Sequence, residues 1–167
     1  MTNFSRREVF GLGAVATAAG AMMITGFGKS PAAAAAAGKY EVRRTPAEWR
    51  RQLGAERFHI LREGGTETPY TSPLLKEHRR GTFVCAGCAL PLFSSTTKFD
   101  SGTGWPSFYA PLPRAVAETR DSTLGMVRRE IHCRRCGGHL GHVFDDGPKP
   151  TGLRYCMDGL SLGFHAA

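Results

Sequence analysis

The chain has 167 residues, 41% hydrophobic and 22% charged, an ordinary make-up for one soluble globular domain with a short appendage. Its formal charge is +8, of which the first 38 residues carry +2. The remaining basic residues, Arg50, Arg51, Arg79, Arg80, Arg134 and Arg135 among them, are scattered rather than interleaved with aromatics, so no nucleic-acid partner is expected. Five cysteines are an odd number, which excludes a framework of disulfides with no thiol left over.

Ser5-Arg6-Arg7-Glu8-Val9-Phe10 resembles a twin-arginine export motif, and a mildly apolar run rich in Gly, Ala and Thr follows it to Phe27. Pro31 and Ala32–Ala37 then offer several small-residue cleavage sites. Residues 1–38 are therefore expected to be a signal peptide with its cleavage region, directing the protein to the periplasm. An uncleaved membrane anchor is the alternative, although the run is barely long enough to span a bilayer.

The domain is expected over residues 39–167. Thr45-Pro46-Ala47-Glu48 has the pattern of a helix start, with Thr45 at the N-cap, Pro46 at N1 and Glu48 at N3. A short helix through Leu53 should follow, then a second over 56–63 before Gly64-Gly65, and a further turn near Thr71–Leu75. From Gly81 the texture changes to short apolar runs between Gly- and Pro-rich turns. Strands are predicted at Thr82–Cys85, Ser107–Tyr109, Val116–Thr119, Gly125–Cys133, His139–Phe144, Leu153–Asp158 and Leu160–Phe164. The fold class is mainly β, an antiparallel body with a helical lead-in.

Two C-x-x-C pairs, Cys85/Cys88 and Cys133/Cys136, carry glycines that let the backbone curl and aim both sulfurs at one point. Together they offer four thiolates, the ligand set of a structural zinc site with no open position for water or substrate. Two disulfides, or one redox-active C-x-x-C pair, are the competing reading, and export would favour it.

The fifth cysteine lies in Leu153-Arg154-Tyr155-Cys156-Met157-Asp158. In a strand, Arg154, Cys156 and Asp158 share one face, and the guanidinium gives the thiol a reason to ionise. A small buried hydrophobe beside a surface ion pair is an equally good reading of this segment alone. Upstream, His139 and His142 are three apart, so a regular strand would put them on opposite faces. Gly141 between them could host a bulge that turns both to one side. Asp146 could orient one of the two imidazoles, which are natural proton donors near neutral pH. Trp105, on the Gly-rich loop 101–107, could wall an apolar pocket or belong to the core.

Taken together, Lys98-Phe99-Asp100-Ser101-Gly102-x-Gly104-Trp105-Pro106-Ser107-Phe108, Gly138-His139-Leu140-Gly141-His142-Val143-Phe144-x-Asp146-Gly147-Pro148 and Thr151-Gly152-Leu153-Arg154-Tyr155-Cys156 resemble the signature of B-type methionine sulfoxide reductases. The resemblance spans roughly residues 45–164 and implies two antiparallel sheets with an N-terminal helical part. It implies thiol-dependent reduction of methionine-R-sulfoxide, free or in proteins, through a sulfenic acid on Cys156. It places Trp105 against the substrate methyl group and His139 and His142 at the sulfoxide oxygen. Asp146 and Arg154 would support the histidines and the thiolate, and Phe164 would be a secondary apolar position. Zinc on the four knuckle cysteines is implied as well.

The chain departs from the pattern twice. Thr103 stands where many members carry a resolving cysteine, so an external thiol or a thioredoxin-like protein is the expected reductant. Asp158 replaces a common asparagine, exchanging a hydrogen-bond donor for an acceptor beside the site. A monomer is expected. The competing functions are a non-catalytic zinc-ribbon binding module and a C-x-x-C disulfide oxidoreductase.

Overall fold

The computed structural model describes residues 40–122 and 127–167. The expected signal peptide, and the start of the strand expected from Gly125, lie outside the described residues.

Helix α1 spans Pro46–Glu63. A capping box starts it: Thr45 N donates to Glu48 Oε2 at 2.7 Å, and Glu48 N donates to Thr45 Oγ1 at 3.3 Å. Such a cap is worth about 1 kcal/mol. Trp49, Leu53, Phe58, Ile60 and Leu61 form its buried face. Gly54 breaks the helical path at φ 73°, ψ 172°, so the two expected helices are two halves of one kinked element. Gly64 ends it in the left-handed conformation, and a short 3-10 turn, Pro73–Lys76, precedes the sheets. Among the described residues, no helix is long and apolar enough to cross a membrane.

Nine strands are described: β1 Gly81–Cys85, β2 Pro91–Ser94, β3 Lys98–Phe99, β4 Ser107–Phe108, β5 Val116–Asp121, β6 Arg128–Cys133, β7 His139–Phe144, β8 Arg154–Met157 and β9 Leu162–Ala166. They form two antiparallel sheets, one ordered β2-β1-β9 and the other β3-β4-β8-β7-β6-β5. The mainly β fold class with two antiparallel sheets is as the resemblance implied. Aromatic rings join the sheets: Phe108 of β4 stacks on Phe93 of β2 at 4.4 Å and meets Phe83 of β1 edge-on at 4.9 Å. Helix α1 packs on β7 and on the turn at 159–161.

Two short strands, β2 and β3, were not expected. The last strand also begins later than the expected Leu160. The amides of Gly159 and Leu160 leave the ladder to bind the carboxylate of Glu67, and residues 159–161 form a 3-10 turn instead.

Candidate active site

Cys156 lies on β8 between β4 and β7, opposite Ser107 on one side and His142 on the other. Directly opposed residues of antiparallel strands share a face. The row continues through Glu130 on β6 and Thr119 on β5, so one polar line crosses five strands. The sulfur is partly buried. Thr103 Oγ1 lies 3.8 Å from it, Ser101 Oγ lies 2.8 Å from Thr103 Oγ1, and Ser107 Oγ lies 2.7 Å from Ser101 Oγ.

Burial pushes the Cys156 thiol above its ordinary value, against the pull of Thr103, Arg154 and Ser107, while Asp158 adds to the rise. The expectation that Arg154 would favour the thiolate therefore holds only in part. Its guanidinium is held by Asp146, Nε and Nη2 each donating at 2.8 Å, and lies 4.4 Å above the Phe144 ring. Asp146 itself orients Arg154 and not a histidine.

The expected bulge is present. His139 pairs with His132 and Gly141 with Ile131, leaving Leu140 as the extra residue. Gly141 is required there: its φ is 145°, and a Cβ would lie 2.2 Å from the Cys156 carbonyl oxygen. Leu140 enters the core, and the rings of His139 and His142 come to 5.5 Å on the same face.

The two imidazoles sit in opposite electrostatic environments. His139 is 5% exposed, with Glu130 Oε1 2.5 Å from Nδ1 and Asp158 Oδ2 3.6 Å from Nε2. At 3.6 Å the second contact is an ion pair, and Nε2 has no hydrogen-bond partner. Burial alone would depress His139, but Asp158 and Glu130 together hold it up at about 9. His142 Nε2 lies 2.9 Å from Asp121 Oδ2. Burial, with Arg128 and His139 nearby, keeps it below its ordinary value despite Asp121. The orienting carboxylates, Glu130 and Asp121, carried no signal in the sequence, because strand pairing alone brings them to β7.

Trp105 is partly exposed and borders a cavity of about 660 Å³ that Tyr70, Leu75 and Phe99 also line. Its indole Nε1 donates to the backbone oxygen of Glu67 at 3.1 Å. Tyr70 pins the same loop, its amide donating to Gly104 O at 2.7 Å and its hydroxyl to Gly102 O at 2.6 Å. Glu67 and Tyr70 were not anticipated. Asp158 is 3% exposed and accepts from Glu67 N at 3.0 Å. Phe164 lies on β9, its ring 4.9 Å from Phe83 and beneath Arg79, so its contacts are with the smaller sheet and not with Cys156.

The four knuckle cysteines converge. All four sulfurs lie within 4.8 Å of one another, and the contacts at 3.7 Å (Cys85 to Cys136) and 3.5 Å (Cys88 to Cys133) run between the two knuckles. All four are free thiols. Zinc–sulfur bonds of ~2.3 Å in a tetrahedron place sulfurs ~3.8 Å apart, so the donor set fits this ion. Helix α1 braces the knuckles, Gln52 donating to Gly87 O at 2.7 Å and Arg62 to Cys136 O at 3.0 Å.

The SelR domain model matches residues 53–166. A peptide methionine sulfoxide reductase MsrB of Agrobacterium fabrum is 58% identical over 125 residues, 74% of this chain and 93% of the relative. Proteins of the same description are 53% identical in Leptospira interrogans, over 75% of this chain and 96% of the relative, and 57% identical in Thiobacillus denitrificans, over 73% and 93%. The chain belongs to the SelR-domain family, the B-type methionine sulfoxide reductases.

Proposed function

We propose that this protein is a peptide-methionine (R)-S-oxide reductase that works through Cys156 without a resolving cysteine of its own. The observation that carries this reading is the half-buried Cys156 sulfur in one row with His142, with the His139 ring on the same face and its Nε2 facing the Asp158 carboxylate at 3.6 Å, beyond hydrogen-bond distance. A buried donor left unsatisfied is costly and marks a place where a partner arrives during function. The sulfoxide oxygen, which gains negative charge as its sulfur is attacked, is such an acceptor.

The Cys156 sulfur attacks the sulfoxide sulfur while His139 supplies a proton to the oxygen. Attack joins the two sulfurs; the protonated oxygen then passes to the Cys156 sulfur as the sulfur–oxygen and sulfur–sulfur bonds to the substrate break, so methionine leaves and Cys156 carries the oxygen as a sulfenic acid. Two external thiol equivalents then return Cys156 to the thiol, yielding a disulfide and water. Thr103, 3.8 Å from the sulfur, cannot do this, since a hydroxyl is a poor nucleophile at neutral pH. Substrate would be free or protein-bound methionine-R-sulfoxide, with Trp105 against its methyl group, and the reductant a small thiol or a thioredoxin-like protein. A zinc ion held by Cys85, Cys88, Cys133 and Cys136 would supply a structural cross-link.

Turnover of separated epimers tests the reading. With a dithiol present, the R epimer is expected to be reduced and the S epimer not. Without reductant, each chain should release about one methionine and retain a sulfenic acid at Cys156. Equal turnover of both epimers, or an intramolecular disulfide from Cys156 to a knuckle cysteine, would defeat it.

The rate should fall at alkaline pH. His139 faces Glu130, Asp158, His132 and His142, and its protonated form is lost as pH rises through about 9. Because the folded value lies above the unfolded one, the same group adds stability fully present below about pH 6.5, lost on the way to that limb. Asp158→Asn removes one supporting charge and is expected to move the alkaline limb of kcat to lower pH. A limb unmoved by Asp158→Asn would assign the proton to another group.

Export follows from Ser5–Phe10 and the run behind it, which support delivery to the periplasm by the twin-arginine route and a role in repairing oxidised exported proteins. Replacing Arg6 and Arg7 by lysine should leave the enzyme in the cytoplasmic fraction; unchanged fractionation would refute this address.

A further inference from the structure

We propose that Glu67 is a positioning residue, tying the Trp105 wall of the site to the segment that follows the nucleophile strand. The inference rests on the reading of Cys156 and Trp105 given above.

Glu67 is 7% exposed and uses every polar group it has. Its backbone oxygen accepts from Trp105 Nε1 at 3.1 Å, and its amide donates to Asp158 Oδ1 at 3.0 Å. Its carboxylate accepts from the amide of Gly159 and from that of Leu160, the latter at 3.0 Å. These partners are 38 and 91–93 residues away in the chain, so one residue joins three separate segments. Burial, with Asp158 nearby, holds its carboxyl above the ordinary carboxylate value, and the two backbone donors offset only part of that rise.

Tyr70 pins the backbone of the glycine loop before Trp105 at Gly102 and Gly104, whereas the indole's one polar group is spent on Glu67. The other side of the joint is closely fitted: a Cβ at Gly159 would lie 1.9 Å from Ser72 Oγ and 3.1 Å from Glu67 Oε1. Asp158, held through the Glu67 amide, is in turn the ion-pair partner of His139. Glu67 thus sets the distance between the methyl-binding wall and the proton-donating side without touching substrate.

Glu67→Gln in the full chain tests this. A glutamine amide keeps the size but turns a donor toward one backbone N–H, leaving a buried clash in place of a charge-assisted bond. The expected result is a KM for methionine-R-sulfoxide about tenfold higher, with kcat held within about threefold. Iodoacetamide should react with Cys156 at a rate within about twofold of wild type. In a Trp49→Phe background, where Trp105 is the only tryptophan, acrylamide should quench the substrate-free Glu67→Gln protein at least about twice as efficiently as its parent, because residue 67, whose backbone oxygen holds the indole, is no longer fixed through a carboxylate on Gly159 and Leu160.

A lower Tm with KM and quenching unchanged would make Glu67 merely structural and overturn the proposal. If Glu67→Gln does not fold, amide exchange in the wild type decides: protection at Gly159 and Leu160 supports the joint, and exchange at unstructured-peptide rates overturns it. Quenching and exchange need no turnover, so they hold or fail independently of whether the sulfoxide is the substrate.

Discussion

Cys156→Ser is expected to lower sulfoxide reduction by more than about a thousandfold while leaving the fold and the cysteine cluster intact. The sulfur is both the attacking atom and the atom that carries the oxygen away, and a serine hydroxyl can do neither at neutral pH. The fold should not notice, since Cys156 is only partly buried and its strand is held by backbone pairing to β4 and β7. The measurement is turnover of methionine-R-sulfoxide with a dithiol, alongside circular dichroism and Tm. Residual activity near wild type would place the chemistry elsewhere, with the knuckle cysteines the first candidates.

The second large effect concerns those knuckles. Cys133→Ser, or any of its three equivalents, is expected to cost bound metal and thermal stability together. Metal binding at structural zinc sites carries on the order of 10 kcal/mol, comparable with the whole margin of about 5–15 kcal/mol by which a domain is stable. Cys85 ends β1 in the smaller sheet and Cys133 ends β6 in the larger one, so the ion would clamp the two sheets at one corner. Metal analysis should find one zinc per wild-type chain and none in the variant, with unfolding at clearly lower temperature. A folded, active preparation without zinc would remove the site.

Much of this site is legible in the amino-acid sequence. The C-x-x-C spacing announces a converging thiol set because two residues between ligands is the span a knuckle needs. Gly141 announces the bulge because only an irregular strand could bring His139 and His142 together. What stays hidden has a common cause. Glu130 and Asp121 reach the histidines only through the β6–β7 and β5–β6 registers, and Glu67 reaches Asp158 from 91 residues away. No local spacing encodes those contacts. The misplaced role of Asp146 has the same origin: its neighbour in sequence, His142, is not its neighbour in space, whereas Arg154 on the adjacent strand is.

The order of strands has a consequence for biogenesis. β8 comes late in the chain, yet it occupies the interior of the six-stranded sheet, between β4 and β7. A polypeptide leaving the ribosome delivers both knuckles and both histidines before residues 154–157 exist to fill that slot. Within the site, the reactive sulfur is thus synthesised after both knuckles and both histidines, and only Asp158 and the turn behind it follow. A product terminated shortly before β8 would contain all four cysteines of the cluster and no Cys156, so truncation yields a polypeptide without the sulfoxide chemistry.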